Sequence, residues 1–318
     1  KTSEKYPDKT SLHFMGKELR YKELYESSLK LAGYLKQLGI KQGDRVAVML
    51  PNTPQTFISF FGILFAGGIV VMVNPMYTER ELVFQMKDSG AKAIVVLDIL
   101  YPRITKILNE TDLEHVIITE IKDYLPFPKN IIYPFMQKKQ YGYSVKVKHE
   151  GNNHLFREIM KNTVPFRTKA ADGEPESTAV LQYTGGTTGL PKGVMLTHTN
   201  LIANTKMCEA WMYRCEEGNE IILGALPLFH VYGLTTVMIL SIMQSQKAIL
   251  IPKPEPGILL KTIQNQRPTL FPGAPTMYIG LLNHPDLFKY DLSSIKCCIS
   301  GPAPWPVQVQ EKFQSVTG

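Results

Sequence analysis

The stretch Leu181-Gln-Tyr-Thr-Gly-Gly-Thr-Thr-Gly-Leu-Pro-Lys-Gly193 has the composition of a loop that holds an anion. Three glycines, three threonines and a lysine occupy the nine residues from Thr184 to Lys192. Mostly apolar segments at 178–181 and 194–196 flank it, which predicts a strand, a loop and a second strand. A glycine-rich surface hairpin would have the same outline, but it needs neither three hydroxyl groups nor a lysine. Glycine N–H groups, threonine hydroxyls and an ammonium group together favour anion binding.

Lys192 supplies the only full charge in this loop. At about 4 Å from one phosphate charge, with an effective dielectric near 20, its ammonium group would contribute roughly 4 kcal/mol. The loop is not a Walker A loop, because that pattern ends in Gly-Lys-Ser/Thr. Here Lys192 follows Pro191 and precedes Gly193. The sequence therefore predicts an anion-binding loop of another kind.

The composition indicates a globular protein of about two domain-sized units. The chain has 318 residues, of which 44% are hydrophobic and 20% are charged. Its net charge of +7 is local, because six lysines and one acidic residue lie between Lys122 and Lys148. This distribution is not the broad basic surface of a nucleic-acid-binding protein, so no nucleic-acid partner is expected.

The cysteines predict neither a metal site nor a disulfide scaffold. Cys208, Cys215, Cys297 and Cys298 lack the spacing of metal ligands, and the adjacent pair is typical of a buried strand. A reducing, cytoplasmic environment is therefore expected.

The alternation of apolar segments predicts a doubly wound α/β fold. Residues 46–78 carry no charge, and prolines and glycines divide them into a strand at 46–50, a helix at 54–66 and a strand at 69–73. That is a βαβ unit. The 17 uncharged residues at 57–73 could also suggest a membrane span, but glycines interrupt them.

A polar linker at 166–177 predicts a division into two α/β subdomains, 1–170 and 171–318. The first contains an insertion at about 121–160 in which lysines alternate with aromatic residues, and a helix is expected at 131–140. Such a segment can pack its aromatic side chains on its own domain, or it can contact a membrane surface. The aromatic residues are Tyr124, Phe127, Tyr133, Phe135, Tyr141 and Tyr143.

Three turns follow predicted strands of the second subdomain: Pro227–Gly233, Pro272–Thr276 and Ser300–Pro304. Ligands of open α/β sheets bind beyond the carboxyl ends of the strands, so these turns are expected to face one crevice. Taken alone, His230 is more typical of a core histidine than of a site residue. The second turn also has a purely structural interpretation, in which Thr276 is the N-cap of a helix.

Residues 183–193 closely resemble the phosphate-binding signature Tyr-Thr-Ser-Gly-Thr-Thr-Gly-x-Pro-Lys-Gly of the adenylate-forming superfamily. That superfamily contains acyl- and aryl-CoA synthetases, luciferases and the adenylation domains of peptide synthetases. Gly185 replaces the usual Ser, which removes one hydroxyl. The resemblance implies ATP and Mg²⁺, with Thr184 also expected at the metal. It assigns the ATP phosphates to Thr184, Gly185, Gly186, Thr187, Thr188, Gly189 and Lys192.

The other turns resemble further motifs of the same superfamily. Pro227–Gly233 is similar to its acyl-pocket motif, which implies that His230 is a catalytic residue beside the substrate carboxylate. Peptide-synthetase domains have Asp at this position, so an α-amino acid substrate is disfavoured. The implied substrate-binding residues are His230, Val231, Tyr232, Gly233, Gly273 and Ala274. The last turn resembles the adenine-binding Ser-Gly-Gly-Ala-Pro sequence, with Pro302 removing one N–H. Its residues are Ser300, Gly301, Pro302, Ala303 and Pro304.

The resemblance implies an acid–thiol ligase, an AMP-forming acyl-CoA synthetase. A carboxylate attacks the α-phosphorus of ATP, and the thiol of coenzyme A then attacks the acyl-adenylate. The insertion resembles that of bacterial long-chain fatty acid–CoA ligases, so a fatty acid is the expected substrate. An aryl-CoA ligase of the coumarate type is the alternative, and a non-catalytic membrane-binding protein is an alternative of another class. Relatives are monomers or homodimers, and a peripheral contact with the inner face of the membrane is compatible with the insertion.

Other elements of the superfamily are expected after residue 318. They are the Tyr-Gly-x-Thr-Glu element, the ribose-binding Asp and the small C-terminal domain with its catalytic Lys. We therefore expect this chain to be the front portion of a synthetase and to be inactive alone.

Overall fold

Thirteen strands form two sheets in the computed structural model, which describes residues 1–142, 145, 147, 151–166, 174–185, 191–212 and 214–318. The strands are β1 (Thr10–Phe14), β2 (Lys17–Arg20), β3 (Arg45–Met49), β4 (Ile69–Met72), β5 (Ala91–Leu97), β6 (His115–Thr119), β7 (Asn153–Leu155), β8 (Thr178–Thr184), β9 (Lys192–Thr197), β10 (Ile221–Gly224), β11 (Lys247–Leu250), β12 (Leu270–Gly273) and β13 (Cys297–Ser300). The expected α/β class is confirmed.

Helices connect most consecutive strands. They are α1 (Thr2–Lys5), α2 (Tyr21–Gln37), α3 (Pro54–Phe65), α4 (Glu79–Ser89), α5 (Tyr101–Ile107), α6 (Lys129–Tyr141), α7 (Phe156–Asn162), α8 (His198–Trp211), α9 (Val231–Gly233), a π-helix (Leu234–Ile239), α10 (Leu240–Met243), α11 (Pro256–Gln266), α12 (Pro275–Leu282) and α13 (Val307–Thr317). Short 3₁₀ turns occur at Asp98–Leu100, Leu108–Glu110, Ile121–Tyr124 and Leu287–Lys289.

The seven-stranded sheet has the order β7-β6-β5-β3-β4-β8-β9, and only its β8–β9 pair is antiparallel. The predicted βαβ unit is present, because β3 and β4 pair in parallel and α3 connects them. Their apolar side chains are buried, as expected for parallel strands that are covered on both faces. The uncharged stretch therefore folds as strand, helix and strand. In the described part of the chain, no helix has the length and apolar character needed to cross a membrane.

Helix α4 shows how local sequence sets the bounds of one element. Thr78 caps its start, since the Thr78 hydroxyl accepts a hydrogen bond from the Glu81 N–H and the Glu81 carboxylate accepts one from the Thr78 N–H. Gly90 ends it with φ of 59°, a left-handed conformation that glycine adopts without a Cβ clash. Two polar contacts thus satisfy N–H groups that have no partner within the helix.

The six-stranded sheet has the order β13-β12-β10-β11-β1-β2. Strands β1 and β2 form a hairpin, and β1 also pairs in parallel with β11. Parallel pairing of β10, β12 and β13 brings the carboxyl ends of these strands to one edge. The turns expected to bind ligand begin at that edge.

The two compact units divide the chain differently from the linker-based boundary at residue 171. One unit comprises Lys22–Leu201 and contains the seven-stranded sheet. The other comprises Lys1–Tyr21 and Ile202–Gly318 and contains the six-stranded sheet. The reason is strand pairing: β8 joins β4, so the glycine-threonine hairpin belongs to the first sheet. Similarly, β1 joins β11, so the first hairpin of the chain belongs to the second.

The aromatic insertion packs only in part on its own domain. Tyr124 is buried at the end of a 3₁₀ turn, Ile121–Tyr124. The predicted helix is present as α6, but Phe127 before it and Phe135 within it are 79% and 74% exposed. Tyr124 therefore packs on its own domain, and these two phenylalanines do not. The Tyr141 side chain and Tyr143 lie outside the described residues.

Asp123, in the same 3₁₀ turn, makes stability depend on pH. Burial, followed by repulsion from Glu120, raises the pKa of the Asp123 carboxyl from 3.8 to about 6. The folded protein therefore binds this proton more tightly than the unfolded chain does, and stability is lost as pH rises from about 4 to about 6. Replacement D123N removes the charge. We expect the free energy of unfolding of D123N, relative to the unsubstituted protein, to increase by on the order of 2 kcal/mol between pH 4.5 and 7.5.

Urea denaturation at the two pH values measures this difference. Asp112 is exposed, so D112N is the matched control and should follow the unsubstituted protein. If D123N and D112N show the same pH dependence, the Asp123 assignment is wrong.

Candidate active site

The glycine-threonine loop joins two antiparallel strands at the edge of the seven-stranded sheet. Thr184 ends β8 and Lys192 begins β9, and these two residues are partners in the strand register. Both are exposed, and no atom of the described residues lies within 4 Å of the position that a Cβ on Gly185 would occupy. The two predicted strands are present. The remaining loop residues, Gly186, Thr187, Thr188 and Gly189, lie outside the described residues.

Tyr183 fixes the base of this loop, a role that sequence reasoning did not assign. Its hydroxyl donates a 2.5 Å hydrogen bond to the Asp88 carboxylate near the end of α4. Burial, and then this bond to Asp88, raises the pKa of the Tyr183 hydroxyl above its usual value. The ring lies against Gly193, where an added Cβ would come within 3.0 Å of the ring carbon Cζ. The loop therefore starts and ends on a fixed pair of strands.

His230 presents one ring nitrogen to solvent and uses the other locally. Its Nδ1 accepts a hydrogen bond from the Tyr232 N–H at 3.2 Å, which caps the short helix α9. A neutral ring that accepts at Nδ1 carries its proton on Nε2. His230 and Val231 are exposed, whereas Gly233 is buried. A Cβ at Gly233 would lie 2.3 Å from the Pro227 carbonyl oxygen, so only glycine allows this tight turn. The turn thus offers an Nε2–H donor.

Tyr232 joins the three expected turns. Its hydroxyl donates to the Ile299 carbonyl at 2.5 Å, and the Gly273 carbonyl lies at 3.4 Å. Gly301 packs on the Tyr232 ring, with a Cβ position 3.4 Å from Cζ. Burial raises the pKa of this hydroxyl, so Tyr232 remains a neutral donor. The turn after β10 is therefore tied to the ends of β12 and β13.

The second turn differs from its sequence interpretation. Gly273 is the last residue of β12, and α12 begins at Pro275 with Ala274 as its N-cap. Thr276 is exposed within the helix, so its assignment as N-cap is wrong. Pro275 explains the difference. Its fixed φ suits the first helical position, and because proline has no N–H, no side-chain cap is needed for that group. Gly273 remains close to Tyr278, since its Cβ would lie 2.9 Å from that ring.

The third turn combines an exposed surface with an unpaired polar atom. Pro302, Ala303 and Pro304 are exposed. The hydroxyl oxygen of Ser300 is buried and has no hydrogen-bond partner among the described residues. An unpaired buried hydroxyl costs free energy, so it fits a site that a polar ligand completes. The residues of this turn are therefore compatible with the edge of a nucleotide base.

Trp305 is a second feature of this turn that sequence reasoning missed. Its indole stacks on Tyr278, with 4.4 Å between ring centroids and 13° between planes. The indole Nε1 is buried and also lacks a partner in the described part of the chain. Tyr278 in turn donates to the carbonyls of Phe271 and Ile299. A tryptophan directly after a glycine-proline turn is the one sequence signal for this support.

The expected site residues thus fall into two groups. Tyr232 brings the His230 turn together with Gly273 and Gly301 in one compact unit. Thr184, Gly185 and Lys192 belong to the other unit. Among the described residues, no set of three His, Cys, Asp or Glu side chains is arranged to hold a metal ion.

Comparisons with known proteins agree with this architecture. A long-chain-fatty-acid–CoA ligase of Bacillus subtilis is 53% identical over 315 residues, which cover 99% of this chain and 56% of that protein. A 4-coumarate–CoA ligase of Arabidopsis thaliana is 28% identical over 307 residues, which cover 93% of this chain and 49% of that protein. The chain spans about half the length of the curated relatives that it matches.

A solved structure shares the fold. The crystal structure of the anthranilate CoA ligase AuaEII in complex with anthranoyl-AMP has a TM-score of 0.85 at 22% identity. The superposition covers 99% of this chain and 57% of that chain. The family model described as AMP-binding enzyme matches residues 1–318. The resemblance to adenylate-forming enzymes is therefore confirmed, and the chain belongs to the AMP-binding enzyme family.

Proposed function

We propose that the protein containing this chain is a long-chain fatty acid–CoA ligase that forms an acyl-CoA with cleavage of ATP to AMP and pyrophosphate. The observation that carries the proposal is the hydrogen bond from Tyr232 to the Ile299 carbonyl. It holds the exposed His230 next to the Ser300–Pro304 turn, so a carboxylate and a nucleotide can be bound side by side. The 53% identity to the Bacillus subtilis ligase supports the fatty acid as substrate.

In the first step, a carboxylate oxygen of the fatty acid attacks the α-phosphorus of ATP, and pyrophosphate leaves. The Nε2–H of His230 is placed to donate a hydrogen bond to the carboxylate and orient it. Lys192, together with Thr184 and the loop N–H groups, would hold the β- and γ-phosphates and stabilise the charge of the leaving pyrophosphate. Mg²⁺ bound to the phosphates and Thr184 would neutralise further charge.

In the second step, the thiol of coenzyme A attacks the acyl carbonyl, its proton is lost, and AMP leaves. The fatty acid is favoured over an α-amino acid because His230, and not an acidic residue, follows Phe229. The buried Ser300 hydroxyl and the Tyr232 ring under Gly301 would contact or support the adenine.

We further propose that the protein acts in the cytoplasm and contacts the inner face of the membrane peripherally, as a monomer or a homodimer. Fatty acids partition strongly into bilayers because each buried methylene contributes about 0.8 kcal/mol. A ligase close to the bilayer would meet its substrate there.

An aryl-CoA ligase of the coumarate type is the alternative substrate assignment. It would use the same phosphate loop and the same histidine turn, so the two candidates differ only in the acid they accept. The lower identity to the Arabidopsis enzyme, 28% against 53%, disfavours it.

Initial-rate measurements on the full-length protein test the function. With ATP, Mg²⁺ and coenzyme A, palmitate should support pyrophosphate release with a kcat/KM at least tenfold above that of coumarate. A higher kcat/KM for coumarate than for palmitate would instead support the aryl-CoA ligase. Absence of turnover with both acids, together with no thermal shift on addition of MgATP, would instead support a non-catalytic protein.

Lys192 is predicted to act on ATP. The variant K192Q in the full-length protein should lower kcat/KM for ATP at least tenfold, because it removes an electrostatic contribution of up to roughly 4 kcal/mol. Pyrophosphate release at varied ATP concentration measures the change. The exposed Lys161 provides the control K161Q, which should keep the original value. Equal kinetics for the two variants would contradict the assignment of Lys192.

Tyr232 is predicted to act as a positioning residue. The variant Y232F loses the bond to the Ile299 carbonyl, although that oxygen keeps its contact with the Tyr278 hydroxyl at 3.1 Å. A lost neutral hydrogen bond costs about 1 kcal/mol, so KM for both ATP and fatty acid should rise by about twofold to tenfold.

The control is Y25F, because the Tyr25 side chain is 39% exposed and distant in sequence from these turns. A purely structural role for Tyr232 would lower the melting temperature and leave both KM values unchanged, and that outcome would contradict the positioning role.

A further inference from the structure

Helix α6 presents apolar side chains to solvent and polar side chains to the protein. Ile131, Ile132, Phe135 and Met136 are exposed by 56%, 49%, 74% and 62%. On the opposite side, the Gln137 amide donates to the Asp98 carboxylate at 3.2 and 3.3 Å. A surface helix of a globular protein normally has the reverse arrangement. We refer to the four exposed apolar residues as the outer face of α6.

The inward side is firmly attached. The 3₁₀ turn Ile121–Tyr124 precedes α6, and Ile121, Tyr124 and Leu125 are buried. Asn130, on the same side of α6 as Gln137, has its side-chain oxygen buried without a partner in the described part of the chain. Hydrophobic packing within the unit would turn the apolar side of α6 inward. It does not explain a helix that instead buries an amide oxygen. The outer face is therefore a stable feature that requires another explanation.

The outer face forms a continuous band. Ile131 and Phe135 are four residues apart, as are Ile132 and Met136, so the two pairs form adjacent rows on one side of the helix. Phe127, which is 79% exposed, lies just before the helix and adds to the apolar surface of the segment. The 13 residues of α6 give a length of about 20 Å. This is the size of an interfacial helix rather than of a membrane span.

Basic residues accompany the band and acidic residues do not. Lys129 lies at the start of α6, and Lys138 and Lys139 lie in its last turn. All three are exposed, and the latter two form no ion pair with residues that the structure describes. Residues 124–142 contain no Asp or Glu. Of the preceding acids, Glu120 pairs with Lys122 at 2.5 Å, and Asp98 faces the inward side of α6.

We propose that the outer face of α6 docks on the surface of a bilayer that contains anionic lipids. The apolar side chains would enter the boundary between head groups and acyl chains, and the lysines would contact the anionic head groups. A second copy of the chain fits less well as the occupant. A symmetric contact through this face would place like-charged lysines opposite each other, which opposes association.

This proposal names the surface for the peripheral membrane contact proposed above and rests on that contact, but it does not depend on the ligase chemistry. Docking requires neither ATP nor fatty acid, so it is measured without either. Failure of the substrate experiment would leave it unaffected, and failure of docking would leave the proposed reaction unaffected.

Co-sedimentation of the full-length protein with vesicles tests the docking. The vesicles contain phosphatidylcholine with about a third phosphatidylglycerol, and neutral phosphatidylcholine vesicles serve as the comparison. Binding should be strongest with the anionic vesicles at low salt and should fall severalfold near 0.5 M salt, because screening weakens the lysine contacts. Variant I131S/F135S should weaken binding at least tenfold. Variant K138Q/K139Q should weaken it at least fivefold, and only on anionic vesicles.

Matched controls use exposed residues of the same types elsewhere. K22Q/K36Q changes two exposed lysines of α2, and I258S/F288S changes two side chains that are 42% and 87% exposed in the other compact unit. Both controls should bind like the unsubstituted protein, and circular dichroism and thermal melting confirm that each variant is folded.

Three outcomes would overturn the proposal. The unsubstituted protein could fail to bind anionic vesicles, or the two α6 variants could bind as well as their controls. Finally, analytical ultracentrifugation could show that I131S/F135S converts a dimer to a monomer while vesicle binding is unchanged. That result would assign the outer face of α6 to self-association.

Discussion

The hydrogen bond from the Tyr232 hydroxyl to the Ile299 carbonyl is the contact on which the site-bearing end of the six-stranded sheet depends. Parallel pairing of β10, β12 and β13 places three strand ends at one edge, but pairing alone leaves the turns beyond them free to separate. The Tyr232 phenol, in the turn after β10, bonds to the end of β13 and prevents this separation. The proton of this hydroxyl stays in place because burial keeps Tyr232 neutral. The exposed histidine and the unpaired serine hydroxyl are held together as a result.

The two regions proposed to bind ligand are supported by different interactions. The β8–β9 hairpin is supported by a charged acceptor, the Asp88 carboxylate, which accepts a hydrogen bond from Tyr183. The His230 and Ser300 turns are instead supported by stacked aromatic rings, with Trp305 on Tyr278 and Phe313 beside them. The sequence of the hairpin loop is rich in glycine N–H groups and threonine hydroxyls, donors that would suit a highly charged group. The aromatic support offers a shaped and weakly polar surface, which suits a planar base.

Local patterns predicted most elements because local chemistry determines them. The uncharged residues 46–78 specify a strand, a helix and a strand through nearby atoms, and the structure agrees. The assignment of strands to sheets was not predictable in the same way. Whether β8 joins β4, or β1 joins β11, depends on partners that are distant in sequence, and no spacing rule encodes them. The linker at 166–177 therefore suggested a boundary at which the sheets do not divide.

Side-chain roles show the same limit. The motif resemblance identified the stretches around His230 and Ser300, but the contacts of Tyr183, Tyr232 and Trp305 arise only when separate segments meet. Thr276 has the composition of a helix cap, yet the fixed φ of Pro275 starts the helix two residues earlier, with Ala274 as the N-cap. The direction of α6 was also hidden, because its apolar spacing is that of an ordinary buried helix. The Gln137–Asp98 contact and the exposure of Ile131 and Phe135 show which side faces the protein.

The pairing of β1 with β11 has a consequence for the order of events during synthesis. Leu12 pairs with Ala248, so the first hairpin of the chain leaves the ribosome more than 200 residues before its neighbour in the sheet exists. At about 5–20 residues per second, that delay lasts roughly 10–50 seconds. The segment 22–201 contains all of its own sheet partners and can fold during this interval. Meanwhile the edge of β1 that pairs with β11 has no partner, which exposes this strand to mispairing and to recognition by chaperones.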